Sequence, residues 1–595
     1  MNAPLHGARW TLLGLVGVLL GASACRTPPP ERPADVREDL DYVKAHTAWR
    51  IRASMEDANA TAVALVLVDA SEEGSGIVWA NGFGRGHLAG SVNADSVFRV
   101  GSISKLASAL VTKLAAREGV LDIDAPIVAA LPSFTIQSRF PDARAPTLRD
   151  LMTHHAGVPS DLLRGMYGTK RGDYTNVVDA LRDEHLSTAP GTLFTYSDVG
   201  YALLGAAVEV AGKESFLHRA ERTLFVPLGM AHTSFDRESD VATQVLPGWM
   251  AGAELAETGP TTTPANGLFT SASDLGRLMV AMMRAPAGNQ ALAADDVADV
   301  LKVQNASVAL DVGFTTGLGI NLAPPLVEGG GPIALHSGQT IAFVAELMML
   351  PEEKLGVAVL TNTPDGILLP QTVAREALSL FLESRTGKRV PPQPPIVESA
   401  SFTEAELRAC AGAYATDYGL ITLDVDGAKL RGRAFEEVLE LRPTAAKRFD
   451  PWILGFGVVP VKPDILKHVE LSFEDVAGER AMVTTRFGVR SLRGVRIQPT
   501  PILPSWAARV GTYRNTDPGD DQITITSAQL VIEDELLLFK IKLSRYPRPL
   551  TVALTTLDDD EAITQGLGRS MGETVRVDEK GRLIVVGYPL ERVLE

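Results

Sequence analysis

The chain has 595 residues, too many for one ordinary domain and enough for about three or four. Its 45% hydrophobic and 22% charged residues suit a globular protein with a real core. A formal net charge of −16 argues against a nucleic-acid partner, which needs a basic surface, and against electrostatic docking onto anionic lipid. Two cysteines allow no disulfide framework and no thiolate metal cluster, and the ten histidines include no H-E-x-x-H pair, so neither metal nor cofactor is expected.

The N-terminus carries Arg9, then the apolar stretch Trp10 to Gly21, too short to span a bilayer, then Ala22-Ser23-Ala24 directly before Cys25. This resembles a bacterial lipoprotein signal, with Ala22 in place of the favoured Leu. The resemblance implies cleavage that leaves Cys25 as the lipidated first residue, and a location in the bacterial envelope facing the periplasm or exterior. The alternative is an ordinary secretory signal cleaved near Ala24. Residues 26–36, with Pro28-Pro29-Pro30 and Pro33, read as a stiff tether holding the body off the membrane.

Residues 37–388 mix strand and helix signals. Thr61 to Asp69 and Gly76 to Gly82 are β-rich and joined by a turn. Ser102 to Glu118 is amphipathic with helical spacing and ends at Gly119. Tyr201 to Val210 and Thr372 to Glu383 also read as helices. Ile341 to Leu350 and Leu355 to Thr361 read as a second strand pair around Pro351-Glu352-Glu353. Strand pairs at both ends of the block, with helices between them, predict one sheet assembled from both termini in an α+β arrangement. A proline-rich linker covers 389–402, with Val390 to Pro395 at its centre. Beyond it the texture is β-rich, with Gly412-Ala413-Tyr414 and Gly511-Thr512-Tyr513 each opening a run of strands. Two small barrels over 403–502 and 503–595 are expected, the alternative being one larger β domain.

The chemistry centres on Ser102-Ile103-Ser104-Lys105. At a helix start, a spacing of three brings the lysine amine within reach of the serine hydroxyl. Serine needs a base to become a nucleophile, and a lysine of lowered pKa can serve. The helix N-terminus adds a field and free N–H groups that suit a developing oxyanion. Tyr196-Ser197-Asp198 precedes a second helix, and His336-Ser337-Gly338 follows the run Gly329-Gly330-Gly331 and precedes the strand from Ile341.

These three motifs, in this order, resemble the class C β-lactamase, penicillin-binding and esterase superfamily, whose members share S-x-x-K, Y-x-N and K-T-G or H-x-G. Pro146 to Pro159, Val226 to Met230 and Pro264 to Ser271 resemble it as well, and the likeness runs from about Leu40 to Glu383. The resemblance implies a β-lactamase-like domain, an antiparallel sheet flanked by helices with an all-helical subregion. It implies Ser102 as nucleophile, a general base shared between Lys105 and Tyr196, and an oxyanion hole from the backbone N–H groups of Ser102 and Gln339. Asp198, His336, Ser337 and Gly338 then bind substrate.

Two departures stand out. Asp198 occupies the place of the usual Asn, and a carboxylate there favours protonated Lys105, moving the base role toward Tyr196 or requiring a protonated Asp198. His336 replaces the usual Lys, and a mostly neutral imidazole is a poor partner for the carboxylate of a β-lactam. Gly568-Arg569-Ser570-Met571-Gly572 matches the nucleophile-elbow pattern, but the sequence after it alternates like a strand where a helix is needed. The β units hold no nucleophile–base cluster of their own and are expected to shape access to the site.

The sequence therefore reads as a tethered serine hydrolase acting through an acyl-enzyme on an amide or ester. The substrate is a small molecule or a peptidoglycan-like or D-amino-acid peptide, and β-lactamase activity is weak. The alternative is an inactive envelope binding or sensor protein. Oligomeric state is left open. Replacing Cys25 by Ala is expected to release the protein from the membrane fraction, and inhibiting lipoprotein signal peptidase to leave the uncleaved precursor. Normal membrane retention of that variant contradicts the lipid anchor.

Overall fold

The apolar run Ala62–Asp69 forms strand β1, buried along its whole length. Alternate residues serve opposite faces of a sheet. Val63, Leu65 and Leu67 pack with Ile51 of helix α1 (Leu40–Asp57), while Ala64, Val66 and Val68 pack with Leu110 of helix α2 (Ser104–Arg117). Helices cover both faces, so the strand reads as a continuous apolar run although the sheet is antiparallel. The computed structural model describes residues 27–593 apart from 171, 251, 257, 286–290, 400, 435–436, 456 and 546–547. The leader with Cys25 lies outside the described residues.

β1 is flanked by β2 (Ile77–Gly84) and by a strand from the far end of the same block, with Val63 opposite Thr361. The sheet is completed by β3 (Thr315–Thr316), β4 (Asn321–Ala323), β5 (Ile333–Gln339), β6 (Val344–Leu350) and β7 (Leu355–Thr361), in the order β2-β1-β7-β6-β5-β4-β3. Between β2 and β3 the chain builds the helical part, including α2, α3 (Asp198–Gly212) and α4 (Ala272–Arg284). α5 (Leu369–Thr386) returns to lie beside α1 on the outer face. The fold is α+β, as the sequence implied.

Two eight-stranded barrels follow. The first runs from Gly412–Thr416 to Val489–Arg496 and closes through the pairing of Glu437–Pro443 with Phe449–Gly455. The second runs from Gly511–Asn515 to Tyr588–Arg592 and closes with Tyr513 opposite Arg592. The two Gly-x-Tyr tyrosines play matching parts. Each is buried and donates its hydroxyl to the carbonyl four residues upstream, Tyr414 to Cys410 at 3.0 Å and Tyr513 to Arg509 at 2.6 Å.

The proline-rich segment runs along the body over residues 27–36. Trp49 Nε1 donates to the Thr27 carbonyl at 2.7 Å, Arg32 pairs with Glu383 at 2.6 Å and Val36 is buried in the outer core. The apolar Val36 and paired Arg32 hold against the domain what proline stiffness alone would extend. The strand carrying His336 begins at Ile333, not Ile341, so His336-Ser337-Gly338 lies within β5 and residues 340–343 make the hairpin turn to β6. Its short polar triplet interrupts the apolar period that would have marked it.

The second barrel docks on the segment that follows His155. Glu573 Oε1 accepts from the Ser160 backbone N–H at 2.9 Å, the Ser570 N–H donates to Ser160 Oγ at 3.0 Å, and the His185 N–H donates to Thr574 Oγ1 at 3.1 Å. A Cβ at Gly572, where φ is +72°, would lie 2.3 Å from the Ser187 carbonyl, so only glycine permits this approach. Burial first, then the charge of Asp161, pushes the Glu573 carboxyl up to about 8 from 4.5. Between those two values the unfolded chain has released a proton that the folded chain retains, so stability falls as pH rises through this window. Glu573→Gln keeps the acceptor and removes the titration. Thermal unfolding from pH 5 to 8 is expected to show a steeper loss for the wild type than for the variant, and parallel curves contradict the assignment.

Candidate active site

Ser102 lies in the tight turn Gly101–Ile103 that leads into α2, and Lys105 is in the first turn of that helix. The Lys105 side chain is wholly buried and its three N–H groups are all engaged. Nζ lies 2.5 Å from Asp198 Oδ1, 3.0 Å from the Ala265 carbonyl and 3.3 Å from Ser102 Oγ. Asp198 opens α3, where the helix dipole favours a carboxylate. Its position is fixed from both sides. Ser197 caps the helix by accepting from the Gly200 N–H at 2.7 Å, and the Asp198 N–H donates to the Ser160 carbonyl at 2.9 Å.

Burial opposes charge on Lys105, but Asp198 and then Tyr196 overturn it, and the net shift is upward. Burial likewise opposes charge on Asp198, and Lys105 and Arg569 hold it below the usual carboxylate range. Both partners are therefore ionised at neutral pH, and a protonated Asp198 does not fit this site. Tyr196 closes the group, its ring centroid 4.6 Å from Lys105 Nζ and 4.4 Å from the ring of His154. His154 is buried and held well below its ordinary pKa by burial and by Lys105. Its Nδ1 accepts from the Ser197 N–H at 3.0 Å, so the neutral ring props both Tyr196 and the start of α3.

The tip of β5 meets the Ser102 turn backbone to backbone. A Cβ at Gly338 would lie 1.8 Å from the Val100 carbonyl, and one at Gly101 would lie 2.6 Å from Gln339 N. Ser102, Tyr196, Asp198, Ser337, Gly338 and Gln339 all line one cavity of about 810 Å³. His336, on the same face of β5 as Gly338, is buried at 4% exposure within electrostatic reach of Lys105 and Asp198, its Nδ1 2.8 Å from the Ser337 carbonyl. Burial, then Lys105, depresses it to about 4, leaving it neutral at pH 7.

The family model for beta-lactamase matches residues 50–379, more than half of the chain and the whole of this constellation. The chain belongs to the beta-lactamase family. Members of this family are generally serine hydrolases that work through an acyl-enzyme. Penicillin-binding protein 4 of Amycolatopsis lactamdurans is 29% identical over 46% of this chain and 74% of its own length. Beta-lactamase-like protein 4 of Dictyostelium discoideum is 26% identical over 32% of this chain, which spans 37% of that relative. Among solved structures, SurE superposes with a TM-score of 0.55 at 21% identity, covering 77% of this chain and all of SurE. The octameric penicillin-binding protein homologue from Pyrococcus abyssi gives 0.51 at 21% identity, over 75% and 99% of the two chains. The latter two likenesses extend into the barrels and concern the fold.

Within this beta-lactamase-family site, sequence reasoning missed Arg569. It sits on the connection between two strands of the second barrel, Glu561–Thr564 and Thr574–Val577, yet reaches the cavity. Its guanidinium donates to Asp161 Oδ2 at 2.8 Å and lies 5.0 Å from the Tyr196 ring centroid. Asp161 holds it firmly cationic against burial, with help from Asp198. The pattern Gly568 to Gly572 that contains it is a turn between strands, with Ser570 at φ +63°, and not a strand-to-helix elbow. No local signal in the sequence ties Arg569 to a tyrosine so far upstream.

The ion pair makes a direct expectation for pH. Asp198→Asn removes the charge that sustains Lys105 and lowers the Lys105 pKa. The alkaline limb of the kcat/KM profile for a neutral ester is expected to move to lower pH. An unmoved limb, or one displaced upward, contradicts the role given to Asp198.

Proposed function

We propose that the protein is a membrane-tethered serine hydrolase in which Ser102 forms an acyl-enzyme with an ester or amide. The observation that carries this reading is the Lys105 amine, fully buried, 3.3 Å from Ser102 Oγ and held there by Asp198. A cationic Lys105 cannot take the serine proton. Tyr196, packed against Lys105, Arg569 and His154, is then the group that, acting as a phenolate, accepts it to become the phenol and returns it to the leaving group. Lys105 stays charged and stabilises the negative charge that passes between Ser102 and Tyr196. The backbone N–H groups of Ser102 and Gln339, on the turn and the strand that touch, face the developing oxyanion.

The substrate is a carboxylic ester or a peptidoglycan-like or D-amino-acid peptide. β-Lactams are disfavoured because the position that holds a permanent cation in many relatives is the buried, neutral His336. The lipid anchor at Cys25 places the reaction in the bacterial envelope. A second reading, an inactive binding or sensor protein, draws support from the same ion pair, since a Lys105 fixed as a cation forfeits one base.

Turnover separates the two. The kcat/KM for para-nitrophenyl butyrate is expected to exceed that for nitrocefin at neutral pH, and Ser102→Ala to lower ester turnover by roughly a thousandfold or more. A preference for nitrocefin overturns the argument from His336. Full ester turnover in the Ser102 variant overturns the assignment of the nucleophile, and no turnover of any ester favours the binding protein.

A further inference from the structure

The chain carries a net charge of −16, yet the cavity wall has four arginines, Arg99, Arg486, Arg545 and Arg569, against the two carboxyls Asp198 and Glu346. Three of the four are occupied. Arg99 donates to the carbonyls of Thr258 and Asn266, Arg545 to Gln522, and Arg569 to Asp161.

Arg486 is the exception. It comes from the strand Glu479–Arg486 of the first barrel and crosses to the catalytic domain. Among the described residues its guanidinium has no hydrogen-bond or ion-pair partner, and its Nε is buried without an acceptor. Beside it stands Arg375 of α5, which likewise has no ion-pair partner among the described residues. The two guanidinium carbons lie 5.2 Å and 4.5 Å from the centroid of one ring, Phe487.

Glu346 and Arg486 each favour the other's charged form, but burial opposes charge on the carboxyl. Glu346 stands opposite Ser337 in the sheet and accepts from Ser337 Oγ at 2.6 Å through Oε2, while Oε1 is buried with no partner. Burial pushes Glu346 up to about 7, so it is only partly ionised at neutral pH. Burial leaves both arginines less basic than usual, with repulsion from Arg486 added at Arg375 and from Arg493 at Arg486. Two half-buried cations that share only one partly ionised carboxyl are costly to keep, and a protein that keeps them beside a cavity has a use for an anion there.

We propose that Arg486, backed by Arg375, forms an anion subsite that binds a carboxylate of the substrate within the catalytic cavity. This rests on the hydrolase reading above and specifies its substrate as an ester or amide bearing a free carboxylate. The subsite is supplied by the first barrel, so the barrel selects the substrate without touching the reacting bond.

The test uses the full chain and matched esters. Para-nitrophenyl hydrogen glutarate, with its carboxylate on the acyl side, is compared with para-nitrophenyl butyrate. Para-butyryloxybenzoate, with its carboxylate on the leaving side, is compared with its methyl ester. One anionic member is expected to exceed its neutral partner in kcat/KM by about tenfold or more, the range of one charge-assisted hydrogen bond. In Arg486→Met that ratio is expected to collapse toward one, and in Arg486→Lys to be partly retained, which separates loss of charge from loss of fold. No preference for either anionic ester, or a preference unchanged in Arg486→Met, overturns the proposal.

A readout independent of turnover is calorimetric titration of monomethyl glutarate into the Ser102→Ala protein. Binding that disappears when Arg486→Met is added supports the subsite even if no ester is hydrolysed. Equal binding in both proteins counts against it.

Discussion

A buried lysine is stable as a cation only if something nearby is anionic, and at this site the anion is Asp198. The pair joins the first turn of α2 to the first residue of α3 at 2.5 Å, and its geometry sets that of the nucleophile. Removing one member of such a pair typically costs about 3–5 kcal/mol, because the other is left charged and desolvated. The surrounding structure follows from keeping both in place. Ser197 caps α3, the Ser160 carbonyl holds the Asp198 backbone, the Ala265 carbonyl takes the third amine hydrogen, and His154 stays neutral where another charge would be repelled.

The barrels belong to the same arrangement. Ser160, whose carbonyl anchors Asp198, is also the residue on which Glu573 and Ser570 of the second barrel dock. Arg569, held by Asp161, extends that contact to the ring of Tyr196. The cavity therefore has a floor from the catalytic domain and walls from both barrels, including Ile465 and Arg486 from the first and Ile523 and Arg569 from the second. Ser102, Lys105 and Tyr196 lie in the catalytic domain, but the second barrel helps to hold the elements that carry them.

What was legible in the sequence was local or periodic. Ser102 and Lys105 meet because they are three apart at a helix start, and β1 announced itself as a β-rich apolar run. The barrels were visible through two tyrosines that make the same hydrogen bond in each. Asp198 stood out because it replaces an expected amide, and its effect on Lys105 has the sign that charge alone predicts. Long-range or orientational features were hidden. His336 sits in the expected motif, but its burial depends on what packs over β5, and the start of that strand was obscured by polar residues. Arg569 and Arg486 reach the cavity only because two barrels fold back over it. The proline segment lies against the body because Arg32 finds Glu383, 351 residues further along the chain.

The central claim is that Asp198 keeps Lys105 charged and thereby assigns the proton transfer elsewhere. The direct measurement is the protonation of the Lys105 side chain itself, followed by nitrogen-detected NMR of lysine-labelled protein, with Lys105→Arg to assign the signal. The account expects the Lys105 amine to remain protonated through neutral pH and to titrate above the ordinary lysine value of 10.5. A Lys105 signal that is neutral at pH 7 would contradict it and return the role of general base to the lysine.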